Sequence, residues 1–275
     1  MNNFISTYFT KSLNAVDNQM TQNGIDHDFG SSIMLRGITK SYDGVTVLDD
    51  VTLDIESGEL LCLVGDSGCG KTTLLRCIAG LESLDAGNIY VGGERVTDRM
   101  PNRRGISMVF QDHALFPDLT VRENVSFALR FKGLRKKARL AAADEILNLL
   151  GFSDLADAKP DALSDGQQQI VALARELVRR PRVLLLDDPL SRVDPVTRAA
   201  LRRRLRTIQS QFDMTIVLVT RDQNDAFDIA DRLAVMRNGT IEQVGTPYDV
   251  LEHPLTLDVA EIMAQRSNII ARPLN

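Results

Sequence analysis

Leu60-Leu-Cys-Leu-Val-Gly-Asp-Ser-Gly-Cys-Gly-Lys-Thr-Thr73 is the stretch on which the fold turns. It opens with a short, wholly apolar run, Leu60–Val64, which reads as a strand buried on both faces of a parallel sheet. Gly65-Asp-Ser-Gly-Cys-Gly70-Lys71-Thr72 then fits G-x-x-x-x-G-K-[ST]. A helix from about Lys71 to Ala79 follows, stopped by Gly80. Glycines accept backbone angles that other residues resist. Successive N–H groups can then point inward and hold phosphate oxygens, helped by the helix dipole. The candidate phosphate cradle is therefore Gly65, Asp66, Ser67, Gly68, Cys69, Gly70, Lys71, Thr72 and Thr73. In it Lys71 supplies a point charge for the β and γ phosphates, and the Thr72 hydroxyl can ligate Mg2+. Cys69 reads as a tolerated small residue, although a thiol reagent there is expected to block nucleotide.

Outward from this stretch, strands and helices alternate. Ile33–Tyr42 and Val45–Ile55 alternate apolar and polar residues, which suits antiparallel strands with one solvated face. Ile89–Val91 and Glu94–Val96 flank Gly92-Gly93 as a hairpin, and Ile106–Phe110 is another strand. Residues 121–150 turn helical, and a further helix runs from about Gln167 to Arg179. The apolar strand Val183–Leu186 ends in Asp187, which delivers one carboxylate to the sheet edge where open α/β folds bind ligands. Asp187 would hold Mg2+ through water. Asp194-Pro195 starts a helix with Leu201, Leu205 and Ile208 on one face. Thr215–Val219 is a strand, and Leu233–Met236 with Ile241–Val244 form a hairpin around Asn238-Gly239.

The 275 residues suit one large domain or two small ones. Hydrophobic residues at 44% and charged residues at 25% exclude a disordered or collagen-like chain. A net charge of −5 argues against nucleic acid as a partner. No apolar run approaches the ~20 residues of a membrane helix. Residues 1–31 read as a loose N-terminal extension without a secretion signal. Cys62, Cys69 and Cys77 form no CxxC pair, which suits a reducing cytosol. His27, His113 and His253 have no ligand-like partners nearby in sequence. Arg202–Arg204 with Arg206, and Arg135-Lys-Lys137, read as solvated helix faces.

Further motifs carry a resemblance. Leu163-Ser164-Asp165-Gly166-Gln167 resembles the LSGGQ signature of ATP-binding cassette (ABC) transporter ATPases. Gln111 looks like the family's Q-loop glutamine, Tyr42 like its adenine-stacking aromatic, and Ser191-Arg-Val-Asp194 like its D-loop. The segment 111–125 is close to the importer ATPases for sugars, iron, polyamines or sulfate, as are Gly245-Thr-Pro247 and His253-Pro254. The resemblance covers about residues 33–255. It implies an α/β P-loop NTPase fold: a RecA-like parallel-sheet core with an antiparallel β subdomain and an α-helical signature subdomain near 112–166. Residues 32–255 are then the ATPase domain, and 256–275 a tail without the C-terminal regulatory β domain that such importers often carry.

The resemblance also implies a mechanism. Two ATPase subunits, a homo- or heterodimer, face head to tail. Each ATP lies between one phosphate loop and the other subunit's signature, here Ser164, Gly166 and Gln167. Closure moves transmembrane permease subunits, a solute-binding protein is an indirect partner, and Gln111 joins Thr72 and Asp187 around Mg2+. The chain would sit in the cytoplasm, peripheral on the inner face of the plasma membrane. A soluble repair or translation ATPase fits less well, because the insert is short and there is one phosphate loop.

Three positions depart from the family. Asp188 replaces the glutamate that polarises the attacking water, and Arg221 replaces the histidine that contacts the γ-phosphate. Asp165 replaces the first signature glycine. Ile170 also stands where an arginine is usual. Asp188 is one methylene shorter, and misplacement of that order can cost ~10²-fold in rate. Arg221 has no acceptor and cannot copy a neutral histidine. Asp165 puts like charge beside a γ-phosphate. ATP binding with slow hydrolysis is the expectation; a regulatory or scaffold subunit is the alternative.

Overall fold

In the computed structural model, residues 30–110, 114–220 and 222–267 are described. Gln111, His113, Arg221, His27 and residues 1–29 lie outside the described residues, as do 268–275. Two sheets and eight α-helices make up the described chain. The strands are β1 (Ile33–Tyr42), β2 (Val45–Ile55), β3 (Leu60–Val64), β4 (Ala86–Val91), β5 (Glu94–Arg95), β6 (Ile106–Val109), β7 (Val183–Asp187), β8 (Thr215–Val219), β9 (Arg232–Arg237) and β10 (Thr240–Gly245). The helices are α1 (Lys71–Ala79), α2 (Val121–Ser126), α3 (Lys136–Leu150), α4 (Asp165–Leu177), α5 (Pro195–Phe212), α6 (Gln223–Ile229), α7 (Pro247–Glu252) and α8 (Leu257–Ser267). Among the described residues no helix is long and apolar enough to cross a membrane.

The larger sheet has the order β10-β9-β3-β8-β7-β6, with β10 antiparallel at one edge and the other five strands parallel. Its apolar runs are continuous because both faces are covered, and the two-residue period of a strand divides them cleanly. Leu60, Cys62, Val64, Leu184, Leu186, Ile216, Leu218, Leu233 and Val235 enter one core with α2–α8. Leu61, Leu63, Val183, Leu185, Val217, Val219, Ala234 and Met236 enter the other, with α1 and the smaller sheet. That smaller sheet is antiparallel, in the order β2-β1-β4-β5. The P-loop NTPase fold expected from sequence is therefore present, with its antiparallel β and α-helical parts.

Local differences from the sequence reading have local causes. The helical stretch 121–150 is interrupted: α2 gives way to a 3-10 segment, Phe127–Lys132, which Gly133 ends at φ +73° before α3 begins. Helix α4 starts two residues earlier than expected, because Ser164 and Gln167 form a reciprocal capping box. It continues unbroken to Leu177 across the 166 boundary. Strand β6 stops at Val109, and β5 is only two residues long.

The basic run on α5 needs a correction. Arg202 pairs with Asp225 and Asp228 of α6 and so lies between the two helices rather than on a solvated face, while Arg206, more exposed, pairs with Asp231 just after α6. Arg204 reaches Leu149 O at 3.4 Å, and Arg203 is exposed. Asp225, buried, supplies the reason: a buried carboxylate needs a cation. Within the segment 256–275, α8 buries Val259, Ile262 and Met263 in the first core. At the other end Gly30 N–H donates to Asp213 O at 2.7 Å, and Ser31 is buried.

Candidate functional site

A cleft of about 140 Å3 opens at the carboxyl edge of the parallel sheet. It is lined by Ser67, Gly68, Gly70, Lys71, Thr72 and Thr73 from the phosphate loop and α1, by Asp187 and Asp188 after β7, and by Val47 and Val219. The register explains the meeting. Val219 pairs with Leu63 on one side and Asp187 on the other, so one row of the sheet ends beside the loop that leaves β3.

The loop is shaped by glycine where no other residue fits. At Gly65, φ is +150°, and an added Cβ would lie 2.0 Å from Met236 O. At Gly70, φ is +105°, and it would lie 2.7 Å from Val47 O. Helix α1 starts from Gly70 with no side-chain cap and no acidic residue in its first turn. Its first N–H groups and the positive end of its dipole are left to an anion.

Lys71 is buried, and its ammonium donates to Gly65 O at 2.8 Å, Asp66 O at 2.6 Å and Cys69 Sγ at 3.4 Å. The cation thus rests across the loop, held by neutral acceptors that a phosphate oxygen can replace. Thr72 Oγ1 donates to Asp187 Oδ1 at 3.0 Å across 115 positions of sequence. A hydroxyl and a carboxylate side by side at a sheet edge are hard oxygen ligands of the kind Mg2+ takes. Asp188 follows at φ +52°, buried, its N–H donating to Val219 O at 2.9 Å. All three free cysteines are buried; burial pushes the Cys77 thiol up to about 11.

The other sequence-picked residues lie elsewhere. Tyr42, half-exposed, ends β1 on the smaller sheet, with Lys40 Nζ 5.1 Å from its ring centroid. Ser164, Gly166 and Gln167 open α4 and do not line the cleft. Asp165 sits in the first turn of α4 with its side chain 73% exposed and 3.9 Å from Arg192. Gln111 and Arg221 lie outside the described residues.

Two residues were missed in the sequence. Gln169 bridges α4 to the loop after β7. Arg198 donates to Asp222 at 2.9 Å and to Ser191 O and Val193 O at 3.3 and 3.1 Å, tying the loop before α5 to the start of α6. Hydrogen bonds from the Thr197 side chain and N–H hold the neighbouring Asp194 carboxyl below its ordinary value. The sequence signal for the α4 start was S-x-x-Q at Ser164; none marked Gln169 or Arg198.

A family model described as ABC transporter matches residues 48–191, which span the phosphate loop, the signature and the strand bearing Asp187. The chain belongs to the ABC transporter family. It is 46% identical over 234 residues to the xylose/arabinose import ATP-binding protein of Haloferax volcanii, covering 85% of this chain and 61% of that one. It is 48% identical over 227 residues to the sulfate/thiosulfate import ATP-binding protein of Pseudomonas aeruginosa, covering 81% and 69%. The chain thus spans under two thirds of the first relative's length and just over two thirds of the second's. Among solved structures it resembles a dimeric ATP-binding cassette in a post-hydrolysis state bound to ADP and Pi. That match has TM-score 0.73 and 31% identity, and covers 78% of this chain and 98% of that one.

Proposed function

We propose that this ABC cassette is the ATP-binding subunit of an import system, coupling ATP-driven closure of a cassette dimer to solute passage through separate membrane permease subunits, with slow hydrolysis. The observation that carries the reading is the 3.0 Å meeting of Thr72 and Asp187 in a cleft shared with Lys71 and Asp188. The import ATP-binding relatives support the importer assignment.

In this reading the loop N–H groups and the α1 N-terminus bind the phosphates of ATP, and Lys71 leaves its loop carbonyls for the β and γ oxygens. Thr72, Asp187 and Gln111 hold Mg2+, which when bound neutralises charge on the terminal phosphates. Asp188 orients the attacking water, and Arg221 stands beside the γ-phosphate. Tyr42 stacks on adenine. Ser164, Gly166 and Gln167 act on the partner cassette's nucleotide, which agrees with their place outside this chain's own cleft. A solute-binding protein acts indirectly, through the permease. The cassette works in the cytoplasm against the inner face of the plasma membrane.

The permease contact follows the Q-loop. There Asn124 is fully buried, its amide donating to Phe116 O, Leu119 O and Thr120 O and accepting from Phe116 N–H. This pins the segment before α2 and presents Phe116, its ring tilted 38° against that of Phe127 with centroids 4.3 Å apart, with Phe131 exposed beside Phe127.

A second reading, an ATP-gated regulatory or scaffold subunit, is favoured by Asp165, Asp188 and Arg221. Steady-state turnover and Mg-ATP binding of the chain beside the triple variant D165G/D188E/R221H separate the two. Binding by both with brisk turnover only in the variant supports a slowed engine. Equal turnover refutes slow hydrolysis, and failure of the chain to bind Mg-ATP refutes the proposal.

A further inference from the structure

Gln169 lies in the second turn of α4, fully buried, with both ends of its amide engaged. Nε2 donates to Asp188 O at 2.9 Å, and Oε1 accepts from the Arg192 N–H at 3.2 Å. Asp188 O also accepts from Ser191 Oγ at 3.0 Å. On its other side, the Asp188 N–H is held by Val219 O on β8. Both peptide groups of Asp188 are therefore gripped, and they hold a non-glycine residue at φ +52°, a region that L side chains rarely occupy. Once φ and ψ are fixed, so is the Cα–Cβ direction. The direction in which Asp188, a residue lining the cleft, projects its side chain is thereby set by backbone bonds to α4, β8 and Ser191.

The contact between α4 and this loop has no slack. Gly166, three residues before Gln169, lies against the same loop: an added Cβ would stand 2.7 Å from Arg192 O and 3.2 Å from Val193 Cα. Ser164 caps the same helix. A shift of the first turn of α4 must then move the loop 188–193, because close-packed elements transmit displacement rather than absorb it.

We infer that Gln169 is a positioning residue, holding the Asp188 carbonyl to the start of α4 so that displacement of this turn is transmitted to the Asp188 carboxylate. The inference rests on the proposed function for the role of Asp188, and it adds a route. A cassette whose signature turn is engaged by its partner's nucleotide resets the carboxylate in its own cleft, which links the two sites of the dimer through one buried amide. A glutamine that only filled space would stabilise the core and leave the rate of the chemical step alone.

The test uses the full chain with Mg-ATP. Binding is measured first on the unmutated chain; its absence refutes the proposed function itself. Then Q169M, which keeps volume and removes both hydrogen bonds, and S191A, an exposed position that removes the shorter Ser191 bond to Asp188 O and leaves the 3.4 Å bond from the Ser191 N–H, are compared by single-turnover hydrolysis, KM and Mg-ATP Kd. The expected result is a fall in kcat of about 10–100-fold in Q169M, the scale of sub-ångström to ångström misplacement, with KM and Kd unchanged within threefold. S191A is expected to lose at least threefold in kcat. A kcat loss under threefold in Q169M overturns the inference, as does a loss matched by an equal loss of nucleotide affinity. Should Q169M not fold, S191A decides by the same threefold line.

Discussion

Arg104 is expected to be among the most costly single residues to remove, although it lies far along the chain from the phosphate loop. It is 6% exposed and donates from every guanidinium nitrogen: Nε to Arg99 O at 3.0 Å, Nη1 to Cys77 O and Ile78 O at 2.9 and 3.0 Å, and Nη2 to Thr97 O at 2.6 Å. Two of those acceptors are the last carbonyls of α1, so the cation also meets the negative end of that helix dipole. Charged hydrogen bonds are worth about 1.5–3 kcal/mol each. They share one group here, and burial lowers the Arg104 pKa, a sign that the charge is costly to bury. For R104M the balance is a loss of roughly 3–4 kcal/mol, from orphaned carbonyls and lost bonds. At about 2–4 °C per kcal/mol for a chain of this size, Tm falls by roughly 6–16 °C. Because Lys71 and Thr72 begin the same nine-residue helix, nucleotide affinity is expected to fall as well. Urea unfolding of R104M beside the unmutated chain, with and without Mg-ATP, reads both effects. A loss below ~1 kcal/mol with unchanged m-value would mean that the cost of burying the guanidinium cancels its bonds, and the reasoning would fail.

Three further outcomes are expected. G65A drives a Cβ to 2.0 Å from Met236 O, so nucleotide titration should show at least a tenfold weaker Kd; an unchanged Kd would contradict the close approach of loop and β9. R202A strands the buried Asp225, whose carboxyl burial already holds above the ordinary range. The loss, about 3 kcal/mol near neutrality, should shrink as pH falls toward ~4, because a raised carboxyl takes up its proton before the unfolded one does; a pH-independent loss in calorimetry would rule this out. I262A removes a side chain of α8 that is 4% exposed, while Gln223 Nε2 donates to its carbonyl. It should cost ~2–5 kcal/mol, and a loss under 1 kcal/mol would show that α8 contributes nothing to the core.

Where physics is local, the reading of the chain matched the structure to the residue. Leu60–Val64 and Lys71–Ala79 have the bounds expected, because a wholly apolar run and a helix-stopping Gly80 at φ +79° act over a few residues. Where two local solutions compete, it did not. The 121–150 stretch is helical throughout, but the change to 3-10 at Phe127 and the stop at Gly133 divide it. At Ser164 the capping box outweighed the later apolar onset.

The glycine-shaped loop of the candidate phosphate cradle was legible by itself, because it is built from consecutive backbone groups whose geometry glycine permits. Its partner Asp187 was legible as a carboxylate at a strand end, but its distance from Thr72 was not. Strand β8 enters the sheet between β3 and β7, and only that order sets Asp187 in the same row as the loop. The arginines of α5 illustrate the same division. Their positive charge and helical spacing are properties of the sequence, yet Arg202 and Arg206 face Asp225 and Asp231 because α6 folds back beside α5. Gln169 carried no sequence signal, since an amide acquires a role from the two peptide groups brought to its ends. The sequence alone determined the strand–loop–helix proposed to bind phosphate, because its forces run between neighbours along the chain. Tertiary structure decided which carboxylates, arginines and amides surround it, because those forces act only between segments that packing has brought within a few ångströms.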